Sequence, residues 1–399
     1  MAATEPLPLS GLTVVAVEQA VSAPFATRQL ADLGARVIKV ERPDGGDFAR
    51  AYDTAARGLA SHFVWANRGK ESLALDLKDP RGLEVLHALL DGADVFVQNL
   101  AQGAAARLGL DAAALCARYP RLVAVEISGY GAGGPYAHKR AYDMLVQCEA
   151  GLVSVTGTPE RPVKAGIPAA DIAAAMYAFS GVLAALLRRG TTGRGGPVEI
   201  SMLESLAEWM GHPLHHTVHG GEQPARTGLA HAVIAPYDAY ATADGDRVLL
   251  SVQNDREWGR LAREVLERPE LAGDPAYATN AARTRGREET DAVVAGVLGK
   301  LSADEAVERL EAAGIACARL NSVAQLAGHP QLAARDRWRE VGSPAGPLRA
   351  LLPPIGLPGG PEAVMGAVPA LGEHTDALLR ALGMTDARIA ELRGDGVIA

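Results

Sequence analysis

Residues 12–41 read LTVVAVEQAVSAPFATRQLADLGARVIKVE, and this stretch decides the fold. Its apolar runs at 12–17 and 37–41 are typical of buried strands. Residues 23–33 between them predict a helix, with a proline near its first turn and a glycine just after its end. A strand, a helix and a second strand in this order indicate a βαβ unit with two parallel strands.

The same alternation continues outward from this unit to about residue 210. Further apolar runs predict strands at 72–75, 95–98, 122–127 and 197–200. Helices are predicted at 80–90, 103–108, 112–118, 171–188 and 202–210. Short strands that alternate with helices predict an α/β fold with a large, Rossmann-like domain built on a parallel sheet.

The later pattern predicts a second domain inserted into the first. Asp244-Gly245, a pair typical of a β-hairpin, stands between apolar runs, and Ser302 and Glu305 form a capping box. With the neighbouring strands and helices, these features predict a smaller α+β domain at 225–330. The large domain would then comprise residues 1–224 and a C-terminal segment, 331–399, that returns to it.

Composition and charge limit the possible partners. The net charge of −8 argues against nucleic acid as a partner, and the N-terminus lacks the features of a secretory signal. The longest apolar run, at 176–187, is too short to span a bilayer, so no membrane partner is expected. Three cysteines without a CxxC pair suggest neither disulfides nor zinc, and a cytoplasmic location fits best.

Two apparent motifs do not meet the requirements of their chemistry. Gly129 to Gly134 satisfy GxGxxG after a strand, but a proline and a polar loop follow where a dinucleotide fold needs a helix. Five histidines lie within 211–232, yet no HExxH or carboxylate partner accompanies them. We therefore expect neither a nicotinamide cofactor nor a metal, and we interpret these histidines as loop and subunit-contact residues.

The most informative polar residue is Asp171, which follows Pro168-Ala169-Ala170 at the start of the most apolar predicted helix. Ionised groups are rarely buried without partners, so a carboxylate at the mouth of a buried helix suggests a function. One interpretation is a nucleophile, and the other is an ordinary helix N-cap, a role that aspartate often fills. The residues alone leave both interpretations open.

A family resemblance extends over nearly the whole chain. The segments at 11–50, 67–82 and 94–100, then ISGYGAGGP, AYDMLVQCEAGL, PAADIAAAMYA and the late LGEHT, resemble the class III CoA-transferase family. That family includes formyl-CoA and carnitine CoA-transferases and the α-methylacyl-CoA racemases. The resemblance implies an acyl-CoA and a carboxylic acid as substrates, no tightly bound cofactor, and an interlocked homodimer with its site at the domain interface.

The resemblance also implies a covalent mechanism at Asp171. In the family, the matching carboxylate attacks the thioester to form an acyl-aspartyl anhydride, and CoA thiolate then returns to form an aspartyl-CoA thioester. A free carboxylate with a pKa of about 3.9 is ionised at neutral pH and needs no general base. Free backbone N–H groups at the start of its helix are expected to stabilise the developing oxyanions.

The implied CoA contacts come from the ends of the predicted strands, where an open α/β sheet binds ligands. Arg42 matches a family arginine near the adenine and phosphate end, and Arg107 matches another phosphate partner. Arg140 stands where a transferase carries a basic residue. The full set that the resemblance implies for CoA binding is Val21, Ser22, Arg42, Leu75, Asn99, Leu100, Arg107 and Arg140.

Tyr142 distinguishes the two branches of the family. The racemases carry a histidine at this position to move an α-proton, and tyrosine, with a pKa near 10, is a poor base for that step. Transferase activity is therefore favoured, with Tyr142 beside the thioester. Racemase-type proton transfer stays an alternative because Asp255 falls near the racemase acid. Binding of acyl-CoA without turnover is a third possibility, which an intact Asp171 disfavours.

The small domain carries two further indications about the substrate. Formyl-type transferases close a run of glycines over the intermediate, whereas residues 251–257 (SVQNDRE) contain none, so Gln253 and Asn254 are the expected shield. Ala230-His231 followed by Pro236-Tyr237 resembles relatives that act on small dicarboxylates such as succinate, malate, itaconate or glutarate. The resemblance thus implies transfer of CoA to a small dicarboxylate.

Overall fold

Six parallel strands form the main sheet of the computed structural model, which describes residues 5–399. The strands are β1 (Thr13–Val17), β2 (Arg36–Glu41), β3 (Lys70–Ala74), β4 (Val95–Gln98), β5 (Val123–Ser128) and β6 (Gly196–Ser201). Their order across the sheet is β3-β2-β1-β4-β5-β6, and every neighbouring pair is parallel. The strand order reverses between β1 and β4, and open sheets of this kind bind ligands outside the carboxyl ends of the strands at that point.

Helices connect these strands and continue through the rest of the chain. They are α1 (Ser22–Asp32), α2 (Ser61–Asn67), α3 (Pro80–Leu90), α4 (Ala104–Arg107), α5 (Ala112–Arg118), α6 (Asp143–Glu149), α7 (Leu152–Val155), α8 (Ala169–Thr192), α9 (Met202–Trp209), α10 (Gly211–Gly220), α11 (Asp255–Arg260), α12 (Asn280–Arg285), α13 (Arg287–Leu298), α14 (Ala303–Ala312), α15 (Val323–Ala327), α16 (Pro330–Ala334), α17 (Thr375–Ala381) and α18 (Asp386–Gly394). Short 3-10 helices lie at Phe48–Ala51 and Pro269–Ala272.

The main sheet is covered by helices on both faces. Val14 and Ala16 of β1 pack in a core with α1, α8 and α9, whereas Val15 and Val17 pack in a second core with α3, α5, α17 and α18. Successive side chains of a strand point to opposite faces, so a strand buried on both faces must be apolar throughout. This burial explains the continuous apolar runs of the sequence and confirms the predicted α/β class.

Helix α8 contains 24 residues and extends beyond the predicted 171–188 at both ends. Within residues 5–399 it is the one helix whose length and composition would suffice to cross a membrane. The apolar run at 176–187 was too short for this, but the whole helix is longer than that run. Its alanines at 170, 174 and 178 lie in the first core, together with Val182. In this structure the apolar composition of α8 therefore serves packing against the sheet and its neighbouring helices.

The chain divides into two compact units. The first contains residues up to Leu152, then Ala165–His212 and Arg335–Ala399, and the second contains Val153–Lys164 and Pro213–Ala334. This division differs from the predicted boundaries at 224 and 330, and it adds residues 153–164 to the second unit. The C-terminal segment belongs to the first unit, where the Thr375 hydroxyl accepts a hydrogen bond from the N–H of Ala74 at 3.1 Å.

The second unit has a small antiparallel sheet beside short helices. Its strands are β7 (Tyr237–Ala241), β8 (Arg247–Ser251) and β9 (Ala316–Arg319), in the order β7-β8-β9. Helix α11 is followed directly by a π-helical segment, Leu261–Val265. The smaller α+β region is thus confirmed, with Trp258 fully buried in its core.

Two helices and a pair of strands are among the elements that the sequence did not predict. Helices α6 and α10 lie in stretches that had been interpreted as a polar loop and as an aperiodic histidine segment. Strands β10 (Trp338–Val341) and β11 (Leu348–Leu351) form a separate antiparallel pair. Few side chains of α6 and none of α10 are buried, so their sequences lack the apolar periodicity from which a helix is predicted.

Candidate active site

Asp171 occupies the third position of α8, after Ala169 and Ala170. The helix begins after Pro168, which is the N-cap residue and makes no side-chain hydrogen bond. Asp171 is therefore not an N-cap, and the ordinary structural interpretation of this aspartate is wrong. Its side chain is partly buried in the first unit, between the starts of α1 and α8.

Asp143, the first residue of α6, caps α8 from outside the helix. Its Oδ1 accepts the backbone N–H of Ala170 at 2.8 Å and that of Asp171 at 3.3 Å. Its Oδ2 accepts the side-chain amide of Gln147 at 2.7 Å. The sequence predicted that free N–H groups at the start of α8 stabilise oxyanions. That prediction is wrong for Ala170 and Asp171, because the Asp143 carboxylate already accepts both of these N–H groups.

Ser22, the first residue of α1, faces Asp171 from the other side. Its hydroxyl and its backbone N–H act as donors toward the Asp171 carboxylate and favour its ionised form. The N-terminus of a helix favours negative charge, so α1 rather than α8 stabilises the ionised form of this side chain. The preceding residue, Val21, is 3% exposed and supports the start of α1 through its carbonyl bond to Phe25.

The protonation of Asp171 reflects a balance of opposing effects. Burial raises the pKa of this carboxyl, the negative charge of Asp143 raises it further, and the two bonds from Ser22 lower it, to a net value of about 7. The carboxylate was expected to be fully ionised at neutral pH. In the structure, without substrate, about half of it is protonated at pH 7.

The turn between β1 and α1 is held from β4. The amide nitrogen of Asn99 donates to the carbonyl of Gln19 at 2.8 Å and to the hydroxyl of Ser22 at 3.2 Å. Its amide oxygen accepts the N–H of Gln19 at 2.9 Å. The sequence placed Asn99 against CoA, and the structure shows that its side chain is engaged with this turn. Two of the predicted residues thus meet where the strand order reverses.

Two tyrosines lie near the carboxylate. Tyr142 immediately precedes α6 and is 64% exposed, and Tyr52 is 49% exposed. Burial and the charges of Asp47 and Asp171 raise the pKa of Tyr52 to about 12, with a smaller contribution from Tyr142. The Tyr52 phenol can therefore present an O–H group at neutral pH. The sequence did not indicate Tyr52, because it lies in an irregular loop and 119 positions before Asp171.

A cavity of about 360 Å³ opens at the carboxyl ends of β1, β2 and β3. Three residues of the predicted CoA-binding set line this cavity: Arg42, Leu75 and Leu100. The exposed Lys78, which was not in that set, lines it as well. The Arg42 guanidinium donates to the carbonyl of Gly46 at 3.3 Å. The wall also contains carboxylates, Asp44 and Asp76 among them, and its two cations are the groups that could bind the phosphates of a nucleotide.

A second cavity of about 480 Å³ lies at the ends of β4, β5 and β6. Its wall contains Glu126, Glu199 and Glu204, and Leu100 borders both cavities. Carboxylates line both cavities, but cations line the first cavity and not the second, so the first is the better site for phosphates. Arg107 lines neither cavity, and both Arg107 and Arg140 are exposed to solvent.

The residues proposed to shield the site are engaged within the second unit. Asn254 caps α11 by accepting the N–H of Glu257, and the Gln253 N–H donates to the Glu257 carboxylate at 2.8 Å. Asp255 accepts from the buried guanidinium of Arg283 at 2.8 Å and from the N–H of Asn280 at 3.0 Å. These bonds stabilise the start of α11 and of α12, which is a structural role.

Histidines, cysteines and carboxylates do not form a metal centre in the described part of the chain. Within residues 5–399 no group of three or more such side chains lies close enough to hold a metal ion. His215 and His219 stack on the exposed helix α10, with ring centroids 5.5 Å apart. Cys116, Cys148 and Cys317 are free thiols.

Comparison with known proteins agrees with this geometry. The family model described as CoA-transferase family III matches residues 9–375. The chain belongs to CoA-transferase family III. As an enzyme of this class it uses CoA thioesters as substrates, and the resemblance stated from the sequence is confirmed.

Similar enzymes and structures cover almost the whole length of this CoA-transferase. Succinate–glutarate CoA-transferase from Agrobacterium fabrum is 33% identical, over 94% of this chain and 96% of its own. Acetyl-CoA:oxalate CoA-transferase from Acetobacter aceti is 32% identical, over 96% and 97%. The crystal structure of a CaiB/BaiF family protein from Brucella suis superposes with a TM-score of 0.85 at 32% identity, over 95% of this chain and 100% of that one.

Proposed function

We propose that this enzyme transfers CoA from an acyl-CoA thioester to a small dicarboxylate, with Asp171 as the covalent nucleophile. The observation that carries the proposal is the position of Asp171, whose partly buried carboxylate faces Ser22 at the start of α1, beside the switch point of the sheet. The relatives named above act, by their names, on succinate, glutarate and oxalate, all of which are dicarboxylates.

The reaction would proceed through two kinds of covalent intermediate. A carboxylate oxygen of Asp171 attacks the thioester carbonyl, a C–O bond forms, the C–S bond breaks, and CoA leaves as a thiolate. The thiolate then attacks the aspartyl carbonyl of this anhydride, which forms an aspartyl-CoA thioester and releases the donor acid as a carboxylate. The acceptor carboxylate attacks the aspartyl carbonyl of that thioester, so that a C–O bond forms, the C–S bond breaks, and CoA thiolate leaves a second anhydride. The thiolate then attacks the acceptor carbonyl of this anhydride, which gives the new acyl-CoA and frees the Asp171 carboxylate. No net proton transfer is required.

The surrounding side chains have distinct roles in this scheme. Ser22 donates to the carboxylate before attack and so keeps part of it ionised at neutral pH. Tyr142 and Tyr52 would donate hydrogen bonds from their phenol O–H groups to the thioester oxygen or to the substrate carboxylate. Arg42 and Lys78 would hold the nucleotide end of CoA, because cations at the cavity favour its phosphates. Leu75 and Leu100 line the same cavity.

The direct test combines substrate exchange with labelling of the nucleophile. Candidate acyl-CoAs are mixed with carboxylic acids, and the CoA products are identified by mass spectrometry. At least one pair of dicarboxylates should exchange CoA, and Asp171→Ala should abolish exchange. Acyl-CoA with hydroxylamine should leave a hydroxamate on the peptide that contains Asp171. Continued turnover with that peptide unlabelled would contradict the proposal.

The racemase alternative receives little support from the geometry. Tyr142 stands at the position of the racemase histidine, and Asp255 is held by Arg283 in an ion pair. A racemase would exchange the α-hydrogen of a 2-methylacyl-CoA with deuterium and pass no CoA to any acid. We expect no deuterium exchange, and its detection without CoA transfer would favour the racemase.

We also propose that the enzyme acts as a homodimer of interlocked chains in the cytoplasm. This expectation follows the family resemblance, and the three free thiols agree with a reducing compartment. Sedimentation equilibrium of the purified enzyme should give the mass of two chains. A single-chain mass at micromolar concentration would contradict the dimer.

A further inference from the structure

A cluster of buried charges lies beneath the turn that carries Ser22. The side chains of Glu18, Lys39, Asp47 and Lys70 all have zero exposure. Two carboxylates face the two lysine side chains, and burial lowers the pKa of Lys70 to about 7. Burying four charges requires that each finds a partner, because an unpaired buried charge is strongly destabilising. None of these residues takes part in the reaction described above, although Glu18 and Asp47 line the cavity that holds Arg42 and Lys78.

Asp47 differs from the other members because it contacts the turn directly. Its Oδ2 accepts from the Lys39 ammonium at 2.9 Å. Its Oδ1 accepts the N–H of Ala20 at 3.1 Å and that of Ala49 at 2.9 Å. The carboxylate thus joins the buried cluster on one side to the backbone of the β1–α1 turn on the other.

The backbone of Ala20 is strained. Its φ is +61°, in the left-handed region, which disfavours residues that carry a Cβ atom. Such a conformation persists only where surrounding contacts enforce it, and it is found most often at functional sites. Here the enforcing contact is the bond to Asp47, and two residues further along the chain Ser22 reaches Asp171.

We propose that Asp47 is a positioning residue for the nucleophile: it holds Ala20 in the left-handed conformation and thereby directs Ser22 onto the Asp171 carboxylate. Asn99 holds the adjacent Gln19 from β4, so the turn is fixed from two sides. The catalytic consequence rests on the proposed function, whereas the structural consequence, the contact of Ser22 with Asp171, does not.

Loss of this restraint should change the protonation of Asp171. Ser22 lowers the pKa of Asp171, so displacement of Ser22 should raise it. Asp143 on α6 also acts on Asp171, and Asp47 and Tyr142 act on its neighbour Tyr52. Asp47→Asn therefore removes a charge that raises the pKa of Tyr52, whereas Ala20→Val leaves that charge in place.

The test uses four variants of the full chain. Asp47→Asn removes the charge, Ala20→Val makes the left-handed turn far less favourable while leaving the cluster intact, and Ala20→Gly/Asp47→Asn supplies a residue that adopts positive φ without strain. Asp94→Asn is the matched control. Asp94 also accepts a backbone N–H, from Thr13 at 2.9 Å, and pairs with Arg189, but it lies at the opposite ends of β1 and β4.

Asp47→Asn should lower kcat about tenfold with little change in KM for acyl-CoA. Ala20→Val should reproduce this effect, so the proposal stays testable if Asp47→Asn does not fold. The double variant should regain about fivefold of the lost kcat, because glycine avoids most of the ~1–2 kcal/mol penalty of the left-handed region. Asp94→Asn should lower Tm and leave kcat unchanged.

A second measurement does not depend on turnover. The stability difference between each protein and its Asp171→Asn counterpart, followed against pH, reports the pKa of Asp171. Its midpoint should move to higher pH with Asp47→Asn and with Ala20→Val, and should stay in place with Asp94→Asn. An unchanged midpoint in folded Asp47→Asn and Ala20→Val proteins would overturn the proposal. Absence of CoA transfer in the wild-type enzyme would overturn the proposed function and leave this measurement valid.

Discussion

Helices α8 and α14 both carry a carboxylate at their third position, yet the pKa of one carboxyl is raised and that of the other is lowered. Glu305 of α14 is exposed and accepts hydrogen bonds from Ser302, three residues earlier, and these bonds lower its pKa. Asp171 of α8 is partly buried, receives no bond from its own helix start, and has a pKa raised to about 7 by burial and by Asp143.

The difference lies in which residue caps the helix. In α14 the cap is local, since Ser302 and Glu305 satisfy each other in a capping box. In α8 the cap is Asp143, 28 positions before Asp171, and it takes the N–H groups that a local cap would use. Because Asp143 caps α8, the carboxylate of Asp171 is not needed as a cap and stays available for chemistry. The comparison shows that a carboxylate at the same helix position can be either a cap or a reactive group.

The largest expected contrast is in activity. Asp171→Asn should lower the rate of CoA transfer at least 10³-fold, because removal of a covalent nucleophile leaves only binding and orientation. Glu305→Gln should leave the rate within twofold of wild type. The measurement is release of CoA in a single turnover. Comparable rates in Asp171→Asn and wild type would remove the distinction between the two helices.

The second contrast is in stability. The pKa of Asp171 is higher in the folded chain than its usual value of 3.8, so ionisation weakens the folded state as the pH rises from about 4 to 7. Asp171→Asn should therefore raise the free energy of unfolding at pH 8 by about 2–4 kcal/mol and change it little at pH 4. Glu305→Gln should lower Tm instead. Chemical denaturation at both pH values measures this, and a destabilised Asp171→Asn protein at pH 8 would contradict the electrostatic account.

The third contrast compares the two serines. Ser22→Ala should reduce the rate about tenfold at pH 7, because the lost hydrogen bond to the carboxylate is worth about 1.5 kcal/mol and the pKa of Asp171 rises with it. Ser302→Ala should affect Tm alone, through the lost cap of α14. A pH profile of the first CoA release distinguishes them, since only Ser22→Ala should move its midpoint upward.

The smallest expected effect concerns the cap of α8 itself. In wild type the first CoA release should increase with pH through about 7, because the attacking form of Asp171 is ionised. Asp143→Asn keeps an oxygen acceptor for Ala170 but removes the charge, so the midpoint should fall and the rate at pH 6 should rise a few-fold. A midpoint that stays in place would mean that Asp143 has no electrostatic influence on the nucleophile.

Much of the fold could be predicted because its cause is local. The strands at 13–17, 36–41 and 95–98 are mainly apolar, and the capping box of Ser302 and Glu305 lies within four residues. Helix α10 escaped prediction because none of its side chains is buried, so no apolar face marks it. The sequence also indicated the candidate nucleophile, Asp171, because a carboxylate stands at the start of an apolar predicted helix.

The contacts around that nucleophile could not be predicted, because they join distant parts of the chain. Nothing near Asp171 in the sequence indicates Ser22, 149 positions away, and nothing near Ser22 indicates the bond from Asp47 to Ala20. Asn99 matched a CoA contact by resemblance, but its amide holds the β1–α1 turn. Side chains brought together by a parallel sheet leave no spacing pattern in the sequence.

The sequence by itself determined the α/β class, the family and the candidate nucleophile, because apolar periodicity and short motifs act over neighbouring residues. Only the tertiary structure decided which groups surround Asp171 and hence its protonation. The pKa of a buried group depends on desolvation and on charges within a few ångströms, and those distances exist only once α1, α6 and α8 have packed against the sheet.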